Sequence, residues 1–236
     1  MTLLDRIFLL PPLDLAALVL LVLAYIATGW RIEHPSAARP SVSVLMTEYR
    51  RDWAREFITR DVRIFDAQIL SSLRQGTTFF ASTCILAIGG TLALLGNTAP
   101  LSMVADEFGQ GGVPAIVWQL KLIVVVLFLT NGFLKFAWAN RMFGYFAVLL
   151  AAIPNDPEHP QAMPRAMQAA EINIRAARNF NRGLRSIYFA LGALAWLIGA
   201  EALLVATLVT IAFLWEREFY SGGRAALVNG HEGELK

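Results

Sequence analysis

Apolar residues gather along the chain in four long blocks, and the hydrophobic positions between them recur at helical spacing rather than in alternation. The first block, about residues 13–30, is opened by Pro11, Pro12 and Asp14 and closed by Trp30 and Arg31. The second, about 77–95, reads TTFFASTCILAIGGTLALL. The third begins after Pro114, a residue suited to a first helical turn, and meets no breaker before Pro154. The fourth covers about 187–215. Each is long enough to cross a hydrocarbon core of about 30 Å. The third, at about 40 residues or roughly 60 Å of helix, needs only residues 115–136 for a crossing, so its second half is expected to project.

Two polar connections separate these blocks. Residues 43–75 predict an amphipathic helix in which Met46, Tyr49, Trp53, Phe57, Ile58, Val62, Phe65, Ile69 and Leu73 form one stripe, continuing through Gly76 into the second block. Such a helix would be about 48 Å long. The connector 31–43 reaches at most about 45 Å when extended, so the helix is expected to tilt, bend or lie along the membrane face. Residues 137–186 hold the overhang of the third block and a helix starting near Pro164, interrupted only by Gly183.

The pattern predicts an all-α integral membrane helical bundle, one domain with four transmembrane helices and a cytoplasmic helical layer. Composition agrees: of 236 residues 56% are hydrophobic and 16% charged, too apolar for a soluble domain. Charge then orients the chain. Residues 31–74 carry eight arginines and 135–185 seven basic residues, whereas the termini and residues 96–113 hold four, namely Arg6, Arg217, Arg224 and Lys236. By the positive-inside rule both connections are cytoplasmic and both termini face outward, with residues 96–113 as a short outer cap and GQGG before Pro114 as a turn. Asp5 beside Arg6, without a small-residue cleavage site, favours an uncleaved first helix over a signal peptide.

Three stretches also carry a resemblance: RRDWAREFITRDVRIFDAQILSSLRQGTTFFASTCILAIGGTLALLG, FLKFAWANRMFGYFAVLLAAIPND and NFNRGLRSIYFALGALAWLIG. Together they are similar to the bacterial membrane family catalogued as domain of unknown function 599, with FFAST and RGLR the most recognisable elements. The resemblance implies several transmembrane helices, and the expected location of such a bundle is the bacterial inner membrane. The family has no agreed activity, so it assigns no functional residues.

Four features carry candidate chemistry. Glu201 falls near the middle of the fourth block, where a carboxylate marks an ion path, a proton relay or an internal pair, and Lys121 is the cation at similar depth. Arg175, Arg178, Arg182 and Arg185 share one helical face that suits anionic lipid headgroups, a protein partner, or the acidic row Glu48, Asp52 and Glu56. Lys135, Trp138, Asn140 and Arg141 stand where the third helix leaves the membrane, as interfacial anchors do. Small residues line two blocks, Ala81, Ser82, Gly89, Gly90 and Ala93 in one and Gly192, Ala195, Gly199, Ala202 and Ala206 in the other, which permits close helix contact within or between subunits.

Other classes lose ground. The lone Cys84 sits in an apolar run as a buried small hydrophobe, so a disulfide framework or cysteine cluster within the chain is excluded. His34, His159 and His231 all fall outside the spans, which excludes paired axial haem ligands there. No phosphate-binding loop, zinc-protease helix, nucleophile elbow or tract for nucleic acid is present, and no metal or cofactor is expected. The leading expectation is a non-enzymatic membrane protein that acts by homo-oligomerisation or by joining a larger complex. The alternative is an ion or proton channel or transporter using Glu201.

Overall fold

The computed structural model describes residues 10–97 and 114–233, with side chains as far as residue 228. The expected outer cap, its GQGG turn and the pair Asp5–Arg6 lie outside the described residues. Within them the chain is α-helical with one 3-10 turn and no strand. The helices are α1 (Pro12–Glu33), α2 (Val42–Thr59), α3 (Ile64–Gly96), α4 (Ala115–Ala151), α5 (Ala162–Leu194), α6 (Ala200–Phe219) and α7 (Gly222–Gly233). Three of them, α1, α3 and α4, are long and apolar enough to cross a membrane.

The unbroken third block is one helix of 37 residues, α4, as its lack of glycine pairs and internal proline demands. The fourth expected span is not one helix. Its residues are divided by a 3-10 turn at Ala195–Leu197 and by Gly199, so that α5 ends and α6 starts afresh. The chain reverses there. Gly192 lies against Thr210, where an added Cβ would meet the hydroxyl at 3.2 Å, and Tyr188 meets Phe213 edge-on with ring centroids 5.3 Å apart. These pairs run in opposite order along the two helices, which makes α5 and α6 an antiparallel hairpin. Hydropathy responds to apolar length and not to reversal, so a run of about 29 residues read as one span.

The expected helix over 43–75 is also broken. α2 stops at Thr59, Arg60 is extended (φ −80°, ψ 118°), and α3 begins at Ile64. Buried Asp66 holds this corner through one oxygen, Oδ1, which accepts from Trp53 Nε1 and from Arg60, each at 2.5 Å. The continuous stripe ends with the helix: Phe57 and Ile58 are buried, Val62 and Phe65 exposed.

The chain forms two compact units. Unit 1 contains residues up to Arg31, Thr83–Gly132 and Leu184–Glu216; unit 2 contains Ile32–Ser82, Phe133–Gly183 and the residues from Arg217 onward. The core of unit 1 packs Leu21, Val125, Phe189, Ala193, Trp196 and Leu203. That of unit 2 packs Phe57, Ile58, Phe143 and Phe146 against the alanine face Ala162, Ala166, Ala169, Ala170 and Ala176 of α5. Phe80, Phe136 and Phe180 cluster at 5.4–5.7 Å in the same unit, Phe136 packs closely against Gly183, and α5 runs through that glycine without interruption.

The C-terminal residues belong to unit 2 with both basic connections, where the sequence reading placed them on the face opposite. Buried Glu218 accepts from the backbone N–H of Ser43 at 3.1 Å and from its hydroxyl at 3.0 Å, and Tyr49 donates its hydroxyl to the carbonyl of Leu227 at 3.2 Å. The reversal at Ala195–Leu197 is the physical reason, since it returns the chain toward its origin.

Candidate functional site

Polar groups inside the apolar unit 1 come first. Lys121 on α4 is buried, with Nζ 4.0 Å from Asp14 Oδ1 and over the rings of Trp118 at 4.9 Å and Trp196 at 5.8 Å. Asp14 in the first turn of α1 also accepts the indole N–H of Trp196. Lys121 is thus paired with Asp14. Glu201 is exposed in the first turn of α6, where a carboxylate complements the N-terminal end of the helix dipole. The reversal restarts the helix one residue before Glu201, which therefore stands at a helix start and not inside one continuous fourth helix.

A second polar group joins three helices of unit 1. Asn131 of α4 donates to the Tyr25 hydroxyl of α1 and to Ser186 Oγ of α5, each at 2.7 Å, and those two oxygens are 3.0 Å apart. The Tyr25 ring meets Phe128 and Phe189 edge-on at 5.3 and 5.4 Å. Sequence reasoning missed this trio. Its signal was a neutral amide inside an unbroken apolar run, which costs free energy unless it is hydrogen-bonded.

The arginine face divides between roles. Arg185 is buried, its guanidinium 3.0–3.2 Å from where a Cβ on Gly29 would stand and 5.9 Å from the Tyr25 ring, so the missing side chain at Gly29 makes room for it. Arg182 grips Glu33 through Nε and NH2 in a two-pronged pair. Arg175 and Arg178 are exposed. The acidic row does not meet this face: Glu48 pairs with Arg51 at 2.9 Å and with Arg55 at 3.4 Å, and Asp52 with Arg55 at 2.5 Å, all within α2. Arg51 also reaches across to α5, bonding Glu171 at 3.0 Å. The hydrogen bond from Arg51 holds the Glu48 carboxyl below its ordinary pKa.

Of the expected anchors, Trp138 is exposed, Lys135 is partly buried, and Arg141 donates to the hydroxyl of Tyr145 one turn on. Asn140 lies 3.4 Å from the Thr77 hydroxyl. Cys84 is a free, fully buried thiol. The two small-residue faces differ. Gly192 is used inside the α5–α6 hairpin, whereas a Cβ on Gly89 or Gly90 of α3 would meet nothing within 4 Å.

No group of three or more His, Cys, Asp or Glu side chains that could hold a metal stands together among the described residues. No curated protein and no solved structure matches the chain. A family model does, described as protein of unknown function, DUF599, and it matches residues 16–222. That match extends over most of the chain, from the first turns of α1 to the start of α7, and so the protein belongs to the DUF599 family.

Proposed function

We propose that this is an inner-membrane protein that acts by association, as a structural or accessory component, and that α3 is the helix through which copies of it or a partner subunit meet. In this reading α1, α3 and α4 cross the bilayer, and the α5–α6 hairpin enters it and returns to the side from which it came. Charge supports the orientation. With Arg217 and Arg224 in the same unit as both basic connections, the cytoplasmic excess of arginine is larger than the sequence alone suggested.

The observation that carries the proposal is the bareness of α3. Only 11% of its most apolar window is buried, against 28% in α1 and 33% in α4. Along it Ser82, Gly89, Gly90 and Ala93 lie bare or nearly so, although small residues of this kind let two backbones approach closely. The comparable face of α5 and α6 is already used within the chain. A role without chemistry of its own is supported by two carboxylates: partly buried Asp14 and buried Asp66 are each held by an indole N–H and a cation, as structural carboxylates are.

The test is the mass of the particle extracted with its native lipids, for the parent and for Gly90→Leu. We expect the parent to run as an oligomer or with a stoichiometric partner, and the variant to separate into single folded chains. A parent that is strictly monomeric and alone overturns the proposal.

A further inference from the structure

Unit 2 contains a pocket of about 160 Å³ between α2, α3, α4 and α5 whose polar wall is Arg50, Ser72 and Asn181 and whose apolar wall is Leu73, Phe143 and Phe180. Arg50 is unlike the other arginines of α2. Arg51 and Arg55 have carboxylate partners, but the one side chain bonded to Arg50 is the neutral Asn173, through Oδ1 at 2.7 Å, and among the described residues Arg50 makes no ion pair. Its partial burial pulls its pKa below the ordinary arginine value, which is the sign of a cation desolvated without compensation. Asn173 is fully buried and its Nδ2 has no bond among the described residues.

Asn181, on the same pocket wall, leads to a carboxylate that is taken up elsewhere: it donates to Ser43 Oγ at 3.2 Å, and Ser43 in turn donates to Glu218. The pocket thus offers a guanidinium, a hydroxyl and an amide, with aromatic and aliphatic groups beside them. Guanidinium is the side chain best matched to a planar or tetrahedral oxyanion, since its fork can make two parallel charge-assisted bonds. We propose that this pocket binds a phosphate oxyanion at Arg50, Ser72 and Asn181, either the phosphate of an anionic lipid headgroup or a small free phosphate. The apolar wall suits the glycerol and first methylenes of a lipid. This site stands apart from the arginine face of α5 and does not depend on self-association through α3.

The experiment uses the full chain in detergent with two probes, inorganic phosphate at constant ionic strength and phosphatidylglycerol set against phosphatidylcholine. Thermal melting and the number of phospholipids retained in native mass spectra are the readouts. Arg50→Gln removes the cation. Gly76 also lines the pocket and a Cβ on it meets nothing within 4 Å, so Gly76→Leu fills the pocket with Arg50 intact. Arg175→Gln is the exposed-arginine control.

We expect at least one probe to raise the melting temperature of the parent, with binding weakened about tenfold or more in Arg50→Gln and in Gly76→Leu and unchanged in Arg175→Gln. A response to inorganic phosphate identifies a free anion as sufficient. Retention of phosphatidylglycerol without that response identifies a headgroup. Failure of both probes, or full binding by a folded Gly76→Leu, overturns the site. Should Arg50→Gln not fold, Gly76→Leu decides alone. Loss of the oligomer in Gly90→Leu leaves this result untouched, so the two proposals fail separately.

Discussion

Trp196, in the turn that reverses the chain between α5 and α6, donates its indole N–H to Asp14 in the first turn of α1. The same carboxylate faces buried Lys121 of α4 at 4.0 Å. One acid therefore joins the tip of the hairpin to two of the three helices apolar enough to cross a membrane. The turn is thereby tied to the first turn of α1, and α6 leads back from it.

The first prediction concerns topology. If the hairpin re-enters and returns, the C-terminus shares the compartment of the connections at 34–63 and 152–165. A fluorescent reporter that matures only in the cytoplasm, fused after Lys236, is expected to be bright, and a periplasmic phosphatase fused there inactive. The opposite pair of readings would mean that residues 187–215 cross as one helix.

The second concerns Lys121. Asp14→Asn removes the carboxylate and leaves a buried ammonium between two indoles, at an expected cost of roughly 3 kcal/mol in thermal or chemical denaturation. Asp14→Asn combined with Lys121→Met removes both charges and is expected to recover much of that loss, because the penalty lies in the unpaired charge. A double variant no better than Asp14→Asn would show that the pair itself, or the Trp196 bond, carries the stability.

What was legible in the sequence follows from what each signal measures. Apolar length located α1, the apolar half of α3 and the whole of α4, since no residue over 115–151 opposes a helix. The break at 60–63 left no such trace. TRDV contains neither glycine nor proline, and the corner exists because Asp66, Trp53 and Arg60 meet in three dimensions. The reversal at Ala195–Leu197 is hidden likewise, as both arms are apolar. The four arginines share one helix, α5, but helical spacing says nothing of depth or neighbours. Arg182 found Glu33, which lies outside the acidic row, and Arg50, which owns the least compensated charge of α2, has no spacing that distinguishes it from Arg51.

The third prediction is pH dependence. Glu48 has its pKa lowered below the ordinary 4.5, chiefly by the Arg51 hydrogen bond. A depressed acid contributes stability that is complete above its unfolded pKa and is lost as the pH falls through the folded one. The difference in melting temperature between the parent and Glu48→Gln should therefore stay constant between pH 5 and 8, and the two should converge only below about pH 4.5. The group is exposed, so the separation above that pH is expected to be small. Convergence already near pH 6 would rule out this assignment.

The last prediction sets two helical glycines against each other. A Cβ on Gly183 of α5 would stand 2.7 Å from ring carbons of Phe136, which is fully buried and held by Phe80 and Phe180, so the ring has nowhere to retreat. Gly183→Ala is expected to cost about 1–3 kcal/mol through overpacking, despite the better helix propensity of alanine. At Gly144 of α4 a Cβ meets nothing within 4 Å, and Gly144→Ala should stabilise by about 0.5–1 kcal/mol because only the backbone term remains. Phe136→Leu in the Gly183→Ala background supplies the control: a smaller side chain relieves the contact, so it should destabilise less there than in the parent. Equal effects of Phe136→Leu in both backgrounds would show that the ring and the glycine are not coupled and that α5 does not depend on their close approach.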